Sequence, residues 1–208
     1  MNLPDRRSLT ALAYQVGPGR YYQPAYRFIA NDIAVERGAV LDVGTGPGWL
    51  AIHLAAGRAE VDAVGIDTCP HMLRFAEANK AGRLNVTFHR MDATKIVYPD
   101  RTFDVAVAVQ SAHHWADAAG VFAEVYRVLA EGGRFYVYEA DPDADVPAEW
   151  IARRGGFPPD LLIKRQWARF GMDAARWSAL RAVAEASPFG PDVGDETHGF
   201  CRRLVCTR

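Results

Sequence analysis

The sequence predicts an α/β fold, a doubly wound, mostly parallel sheet with helices on both faces. Three observations carry this. Short apolar runs alternate with longer stretches of helical periodicity. Glycine or proline marks most junctions between them. The first apolar run, "VLDVGTGPG", ends in three glycines at every second position, Gly44, Gly46 and Gly48.

The elements follow in order. "GAVLDVG" reads as a buried strand and "GPGWLAIHLAAG" as a helix with Pro47 near its first turn and Gly57 at its end. "VDAVGID" is a second strand, and "CPHMLRFAEANKAG" a second helix with Pro70 inside its start and Gly82 beyond its end. "NVTFHRMD" is a third strand; "YPDR" is a turn leading into a fourth, "TFDVAVAVQS". "DAAGVFAEVYRVLAEGG" reads as an amphipathic helix closed by glycine, and "RFYVYEA" as a fifth strand. Regularity weakens from Asp141. A helix over "DAARWSALRAVAEAS" then leads to a terminal strand in "HGFCRRLVCTR".

At 208 residues, 50% of them hydrophobic, the chain is long enough for one sizeable core, and no repeat or linker divides it. A net charge of -1 gives no pull toward nucleic acid or anionic membrane. No apolar run approaches the ~18 residues of a membrane span. The first residues, "MNLPDRRSLTALAYQVG", hold no apolar core of a secretory signal. Cys69, Cys201 and Cys206 lack metal-site spacing and read as reduced packing residues. A cytoplasmic protein without a metal is the expectation.

The glycine loop allows a ligand to lie close against the backbone. It is not a dinucleotide fingerprint, because G-x-G-x-x-G requires a small residue where Trp49 stands. Pro47 also removes an N–H from the stretch that would hold a pyrophosphate. Asp67 ends the second strand ~20 residues further on, where an acid can accept both hydroxyls of a ribose. Asp92 ends the third strand, where a carboxylate can accept from an adenine amino group beside the Ala93 N–H. Each acid alone also reads as a solvated strand end or a helix cap. Together with the loop they mark the carboxyl ends of three successive strands, where open α/β sheets bind ligands.

"VLDVGTGPGWLAIHLA", "VDAVGIDTCPHML", "VTFHRMDATKIVYPDRTFDVAVAVQSAHHW" and "VFAEVYRVLAEGGRFYVYE" resemble the four consecutive motifs of Rossmann-like, class I S-adenosylmethionine-dependent methyltransferases. The small-molecule branch that includes the quinone-biosynthesis enzymes is the nearest in pattern. The resemblance covers about residues 36–140 and implies a seven-stranded sheet with its last strand antiparallel. It implies one methyltransferase domain over 1–208: an N-terminal helical lead-in (1–35), a cofactor-binding core (36–140), a substrate cap (141–172), and a final helix with a C-terminal hairpin (173–208). S-adenosylmethionine is the implied cofactor and S-adenosylhomocysteine the product. By position, Gly44, Thr45, Gly46 and Gly48 lie against the methionine part and Asp42 supports the loop. Asp67 takes the ribose, with Thr68 and Met72 on the adenosine side; Asp92 and Ala93 take the adenine. Gln110 and Ser111 border the methionine amino group and sulfonium. Tyr21 or Tyr22 closes over the methionine carboxylate.

The fourth strand ends "AVQSAHHW", unlike the Asp/Asn-Pro-Pro-Tyr of enzymes that methylate adenine or glutamine nitrogen and the Pro-Cys of cytosine carbon methylation. No acidic cluster there suits a magnesium ion. A small-molecule acceptor is therefore expected, not nucleic acid. Methyl transfer from a sulfonium needs chiefly alignment and water exclusion. Where a base is needed, His113 and His114 are the candidates; each also reads as a packing or capping residue, and His53, His71 and His89 read as structural.

The stretch from Trp150 to Arg181 carries Arg153, Arg154, Lys164, Arg165, Arg169, Arg176 and Arg181. It reads either as forks for an acidic acceptor or as a solvated face. Trp150, Trp167, Phe170 and Trp177 read as core or as an aromatic substrate box. Two rival functions stay open, a non-catalytic S-adenosylmethionine sensor or regulatory module and an NAD-dependent oxidoreductase.

Overall fold

The structure, a computed structural model, describes residues 22–146, 164–165, 167–169 and 171–208. Tyr21, Trp150, Arg153, Arg154 and Phe170 lie outside the described residues. The chain forms two compact units that divide between Val97 and Tyr98.

In the first unit, helix α1 (Gln23–Ile33) buries Ala25, Tyr26, Ile29 and Ala30, one helical face, against α2 (Trp49–Ala55). Strands β1 (Gly38–Val43), β2 (Val61–Asp67) and β3 (Val86–Arg90) pair in parallel with β2 in the middle. Helix α3 (Pro70–Asn79) follows β2, with proline in its first turn, where its missing N–H costs nothing. Ala51, Ile52, Ala55, Ala63 and Val86 form a core cluster with Trp49 and Phe88 against it.

Gly48 caps α2 in the left-handed region at φ +79. A Cβ built there would stand 2.5 Å from Phe88 Cζ and 2.8 Å from Ala76 Cβ. Gly48→Ala is therefore expected to destabilise the fold. Overpacking costs about 1–3 kcal/mol, and the left-handed backbone adds about 1–2 kcal/mol. A thermal melt reads this directly; an unchanged Tm would refute the packing role.

In the second unit, β4 (Phe103–Val109) pairs in parallel with β5 (Leu129–Ala140), and β7 (Cys201–Thr207) runs antiparallel between β5 and β6 (Val193–His198). The strand order is β3-β2-β1 within the first unit and β4-β5-β7-β6 within the second, with β7 the antiparallel one. Helix α4 (Ala118–Val128) is capped by Asp117, which accepts from the Gly120 N–H at 2.8 Å. It buries Val121, Phe122, Val125 and Val128. Phe122, Phe135 and Phe189 pack ring to ring, and Trp115 joins Phe122 and Phe135. Helix α5 (Ala174–Glu185) is capped by Asp173 and buries Trp177, Leu180 and Ala184.

Two boundaries differ from the sequence expectation. The helix expected to run to Gly133 ends at Val128, and β5 begins at once. Phe103 pairs with Leu129 while Val105 pairs with Arg134, so residues 130–133 bulge out of the ladder. Gly132 takes φ +74 in that bulge. Strand β6, "VGDETH", was not placed from sequence, because its exposed polar residues carry no strand alternation. It exists because β7 pairs with it and because Trp177 Nε1–H donates to Asp195 at 2.8 Å.

Among the described residues, no helix is long and apolar enough to cross a membrane. Cys201 and Cys206 are buried free thiols on β7; burial pushes Cys206 up to about 12, so it stays protonated.

Candidate functional site

The loop from Gly44 to Gly48 leaves β1 and is held by its own backbone. The N–H groups of Gly44 and Thr45 both donate to the Ile66 carbonyl at 2.9 Å, and Gly48 N–H donates to Thr45 O at 2.9 Å. Gly46 N–H donates to Asp67 Oδ2 at 2.9 Å, and Pro47 has none to give. Every N–H across these five residues is thus engaged inside the protein. The loop is no phosphate cradle, as Pro47 and Trp49 implied from sequence.

Its open face is elsewhere. Gly46 sits at φ +52, and a Cβ built there meets nothing within 4 Å among the described residues. Gly46 and Gly48 are both left-handed, yet one faces packed protein and the other open space. Backbone without a side chain at Gly46 lets a neutral or zwitterionic ligand approach closely there.

Asp42 lies beneath the loop, 2% exposed. Its Oδ2 accepts from Thr45 Oγ1 at 2.6 Å and from the Ala51 N–H at 3.3 Å, tying the loop to α2. Burial raises its carboxyl from the ordinary 3.8 to about 7, against the pull of those two donors; the nearby Asp67 charge pushes the same way as burial. The unfolded chain therefore releases this proton near 3.8 and the folded chain only near 7. Between those values the folded state holds the extra proton, so stability falls as pH rises. Asp42→Asn, which cannot ionise, is expected to flatten that part of the Tm–pH curve; an unchanged slope would refute the assignment. The effect is on the order of a few kcal/mol.

Asp67, at the end of β2, holds two parts of the first unit. Oδ2 takes the Gly46 N–H, and Oδ1 takes the Cys69 N–H at 2.7 Å, at the start of α3. Burial raises its pKa, and the backbone N–H groups of Cys69, Gly46 and Thr68 oppose the rise. An ionised carboxylate has about four lone-pair sites, so acceptor capacity remains for further donors. Asp92 is exposed, and its Oδ1 accepts from Thr94 N–H at 2.9 Å and Thr94 Oγ1 at 2.8 Å. Those two bonds hold its pKa below the ordinary value. Thr68 is exposed, Met72 and Ala93 are half-buried, and Tyr22 is buried against Tyr26 ahead of α1.

In the second unit, β4 ends in a strained residue. Gln110 takes φ +52, a left-handed value uncommon outside glycine. Its N–H donates to the Tyr138 carbonyl at 2.9 Å, while its side-chain Nε2 is buried without a hydrogen-bond partner. An orphaned amide beside a strained backbone fits a ligand acceptor group that completes it. Ser111 is buried, and a short 3-10 turn, Ala112–His114, follows. His113 and His114 lie ring beside ring, centroids 4.0 Å apart. Desolvation of its ring, then the charges of His113 and Arg176, hold His114 below the ordinary imidazole value.

A comparison with known families decides the kind of domain: residues 41–137 match the family described as "Methyltransferase domain". The matched residues span the glycine loop, both strand-end acids and the Gln110–His114 turn, inside the limits that the motif resemblance implied.

Its relatives are of the small-molecule branch. The chain is 40% identical over 117 residues to demethylmenaquinone methyltransferase of Deinococcus radiodurans, covering 55% of this chain and 48% of that protein. It is 32% identical over 148 residues to fatty-acid O-methyltransferase of Mycolicibacterium smegmatis, covering 70% of this chain and 53% of that protein. The chain spans about half the length of these curated relatives. The fold matches a structure from Methanococcus maripaludis described as an S-adenosyl-L-methionine-dependent methyltransferase. The TM-score is 0.79 at 21% identity, covering 100% of this chain and 96% of that one. That likeness carries the seven-stranded fold.

Within the matched residues, the structure brings Asp42, Thr45, Gly46 and Asp67 into one bonded group. The Asp92 carboxylate bonds Thr94 and not this group, and its backbone carbonyl accepts from the Lys95 N–H. His53 is structural as expected, with Nε2 2.8 Å from Gln23 Oε1. Sequence reasoning missed Glu139, which reads as one more residue of a buried strand yet lies 2.9 Å from His113 Nδ1. Its only signal was an acid inside "FYVYEA". Of the basic stretch, Arg181 pairs with Glu185 and Asp195, and Lys164 with Asp145, which favours the solvated face. Trp167 and Trp177 are buried, as core residues are.

Proposed function

We propose that this chain is a methyltransferase that binds S-adenosylmethionine and transfers its methyl group to a small molecule by in-line displacement. The observation that carries the reading is the loop of the methyltransferase domain. Its N–H donors are all engaged, its Gly46 face is open, and Asp67 stands bonded to it with acceptor capacity left. That arrangement suits a nucleoside with a zwitterionic amino-acid tail better than a pyrophosphate.

Asp42, Gly44, Thr45, Gly46 and Gly48 shape the methionine side in this reading. Asp67, Thr68 and Met72 hold the ribose side, and Asp92 with Ala93 the adenine. Gln110 and Ser111 serve the methionine end; the orphaned Gln110 amide is the residue with the most to gain from a ligand. Tyr22 closes over the carboxylate. When bound, the cofactor supplies a methyl group already activated on a sulfonium. The chain's own work is to orient the acceptor, exclude water and, for an acceptor with an O–H or N–H, receive its proton at His113 or His114. A metal-free, cytoplasmic enzyme acting on neither nucleic acid nor membrane completes the reading.

Calorimetric titration tests it. S-adenosylhomocysteine is expected to bind, and NAD to bind far more weakly; the reverse order would overturn the proposal. Turnover of S-adenosylmethionine against a metabolite panel separates an enzyme from a sensor.

A further inference from the structure

The second unit holds a buried acid–imidazole pair that the motif pattern does not assign. Glu139 is fully buried near the end of β5. Both of its oxygens serve one residue. Oε1 accepts from the His113 backbone N–H at 3.2 Å, and Oε2 lies 2.9 Å from His113 Nδ1. A carboxylate is a costly choice in the buried stretch Phe135–Ala140 of that strand, whose other side chains are aromatic or aliphatic. Packing alone does not account for it.

The pair fixes hydrogen positions. Where the carboxylate accepts at Oε2 as it does at Oε1, Nδ1 carries the hydrogen and the lone pair of the neutral ring lies on Nε2. The His113 side chain is 7% exposed, which limits exchange with water. His114 stands ring beside ring with it, and Arg176 of α5 donates to the His113 carbonyl at 3.4 Å. On the β7 side, Arg202 is registered opposite Glu139 and pairs with Asp141 at 3.2 Å. The Cys201 thiol is pushed well up by burial and by the charges of Glu139 and Asp141, so it stays neutral. Of the two imidazoles, His114 has a positive neighbour, Arg176. His113 faces a negative one.

We propose that Glu139 is a positioning residue that sets His113 Nε2 as the proton acceptor, a role that rests on the methyl-transfer reading above. His113 Nε2 takes the proton from the O–H or N–H of the acceptor. The pair left on that heteroatom forms the bond to the methyl carbon, and the pair of the carbon–sulfur bond goes to sulfur. The imidazolium faces the Glu139 carboxylate until its proton passes to solvent.

The test uses the full chain and two readouts. Ring-nitrogen NMR reads the His113 tautomer. Carbethoxylation by diethyl pyrocarbonate, located by mass spectrometry across a pH series, reads whether Nε2 is open and when it loses its proton. The expected result is an Nδ1–H tautomer and labelling at His113. Glu139→Gln should shift the pH profile of labelling by at least about tenfold in proton affinity toward easier loss, and Glu139→Asp should restore part of it. An Nε2–H tautomer, no label at His113, or an unshifted profile in Glu139→Gln would overturn the proposal. A purely structural pair predicts no labelling. The tautomer and label are read on the wild-type chain, so they decide even where a variant fails to fold. S-adenosylhomocysteine binding is measured alongside. Its absence overturns the methyl-transfer reading and the proton-acceptor role with it, whereas normal binding with the wrong tautomer overturns the role alone.

Discussion

Asp67→Ala is expected to weaken S-adenosylhomocysteine binding on the order of 10²-fold or more. Two ribose hydroxyls lose a charged acceptor, at about 1.5–3 kcal/mol for each charge-assisted bond. The same change releases the N–H groups of Gly46 and Cys69, so part of the loss comes through the loop. Asp67→Asn separates the two causes. Its carbonyl oxygen still accepts one N–H and can keep the loop in place, but the charge is gone, so an intermediate loss is expected. Calorimetry on both variants checks this. Near-wild-type affinity in both would remove Asp67 from the ribose site.

Gly46→Val is expected to abolish binding while leaving the chain folded. Among the described residues no atom stands within 4 Å of the new Cβ, so they impose no overpacking. The folding cost is the left-handed backbone, about 1–2 kcal/mol. The side chain fills the space the proposed ligand takes. Circular dichroism and a thermal melt should stay close to wild type while calorimetry shows no heat of binding. The contrast with Gly48→Ala is the sharper test. One glycine of the loop should fail in binding and the other in stability, because only Gly48 points at Phe88 and Ala76. Retained binding in Gly46→Val would mean the open face serves no ligand.

Sequence reasoning found what is local. The glycine loop, Asp67 and Asp92 lie at strand ends, and strand ends are marked by punctuation residues that act within a few positions. The Pro47 and Trp49 argument against a phosphate site works for the same reason, since a missing N–H is written into the chain. What was illegible depends on partners distant in sequence. Glu139 and His113 stand 26 residues apart, and nothing near either announces the other. The end of α4 at Val128 is set by Leu129 joining the ladder at Phe103, and by Arg208, whose guanidinium collects the carbonyls of Tyr126, Arg127 and Leu129. Helical periodicity before that point continues into "LAEGG" and gives no warning. Strand β6 is polar and is made a strand by its neighbour. The double duty of Asp67 was half visible: the strand-end acid was clear, and its grip on Gly46 was not.

The position of β7 has a consequence for how the chain comes into being. It inserts between β5 and β6, yet it follows both in sequence. As the polypeptide leaves the ribosome, β5 is finished well before its antiparallel neighbour exists. During that interval "RFYVYEA" has β4 on one side and a row of unsatisfied amide and carbonyl groups on the other. An apolar, aromatic segment with an open edge is a template for pairing with another chain. Stop codons or proteolysis between Gly190 and Cys201 should therefore yield aggregates and not a shortened soluble protein, because what is lost is the strand that closes this edge. Supplying "CRRLVCT" as a separate peptide during refolding should suppress that aggregation, and its failure to do so would locate the vulnerable edge elsewhere.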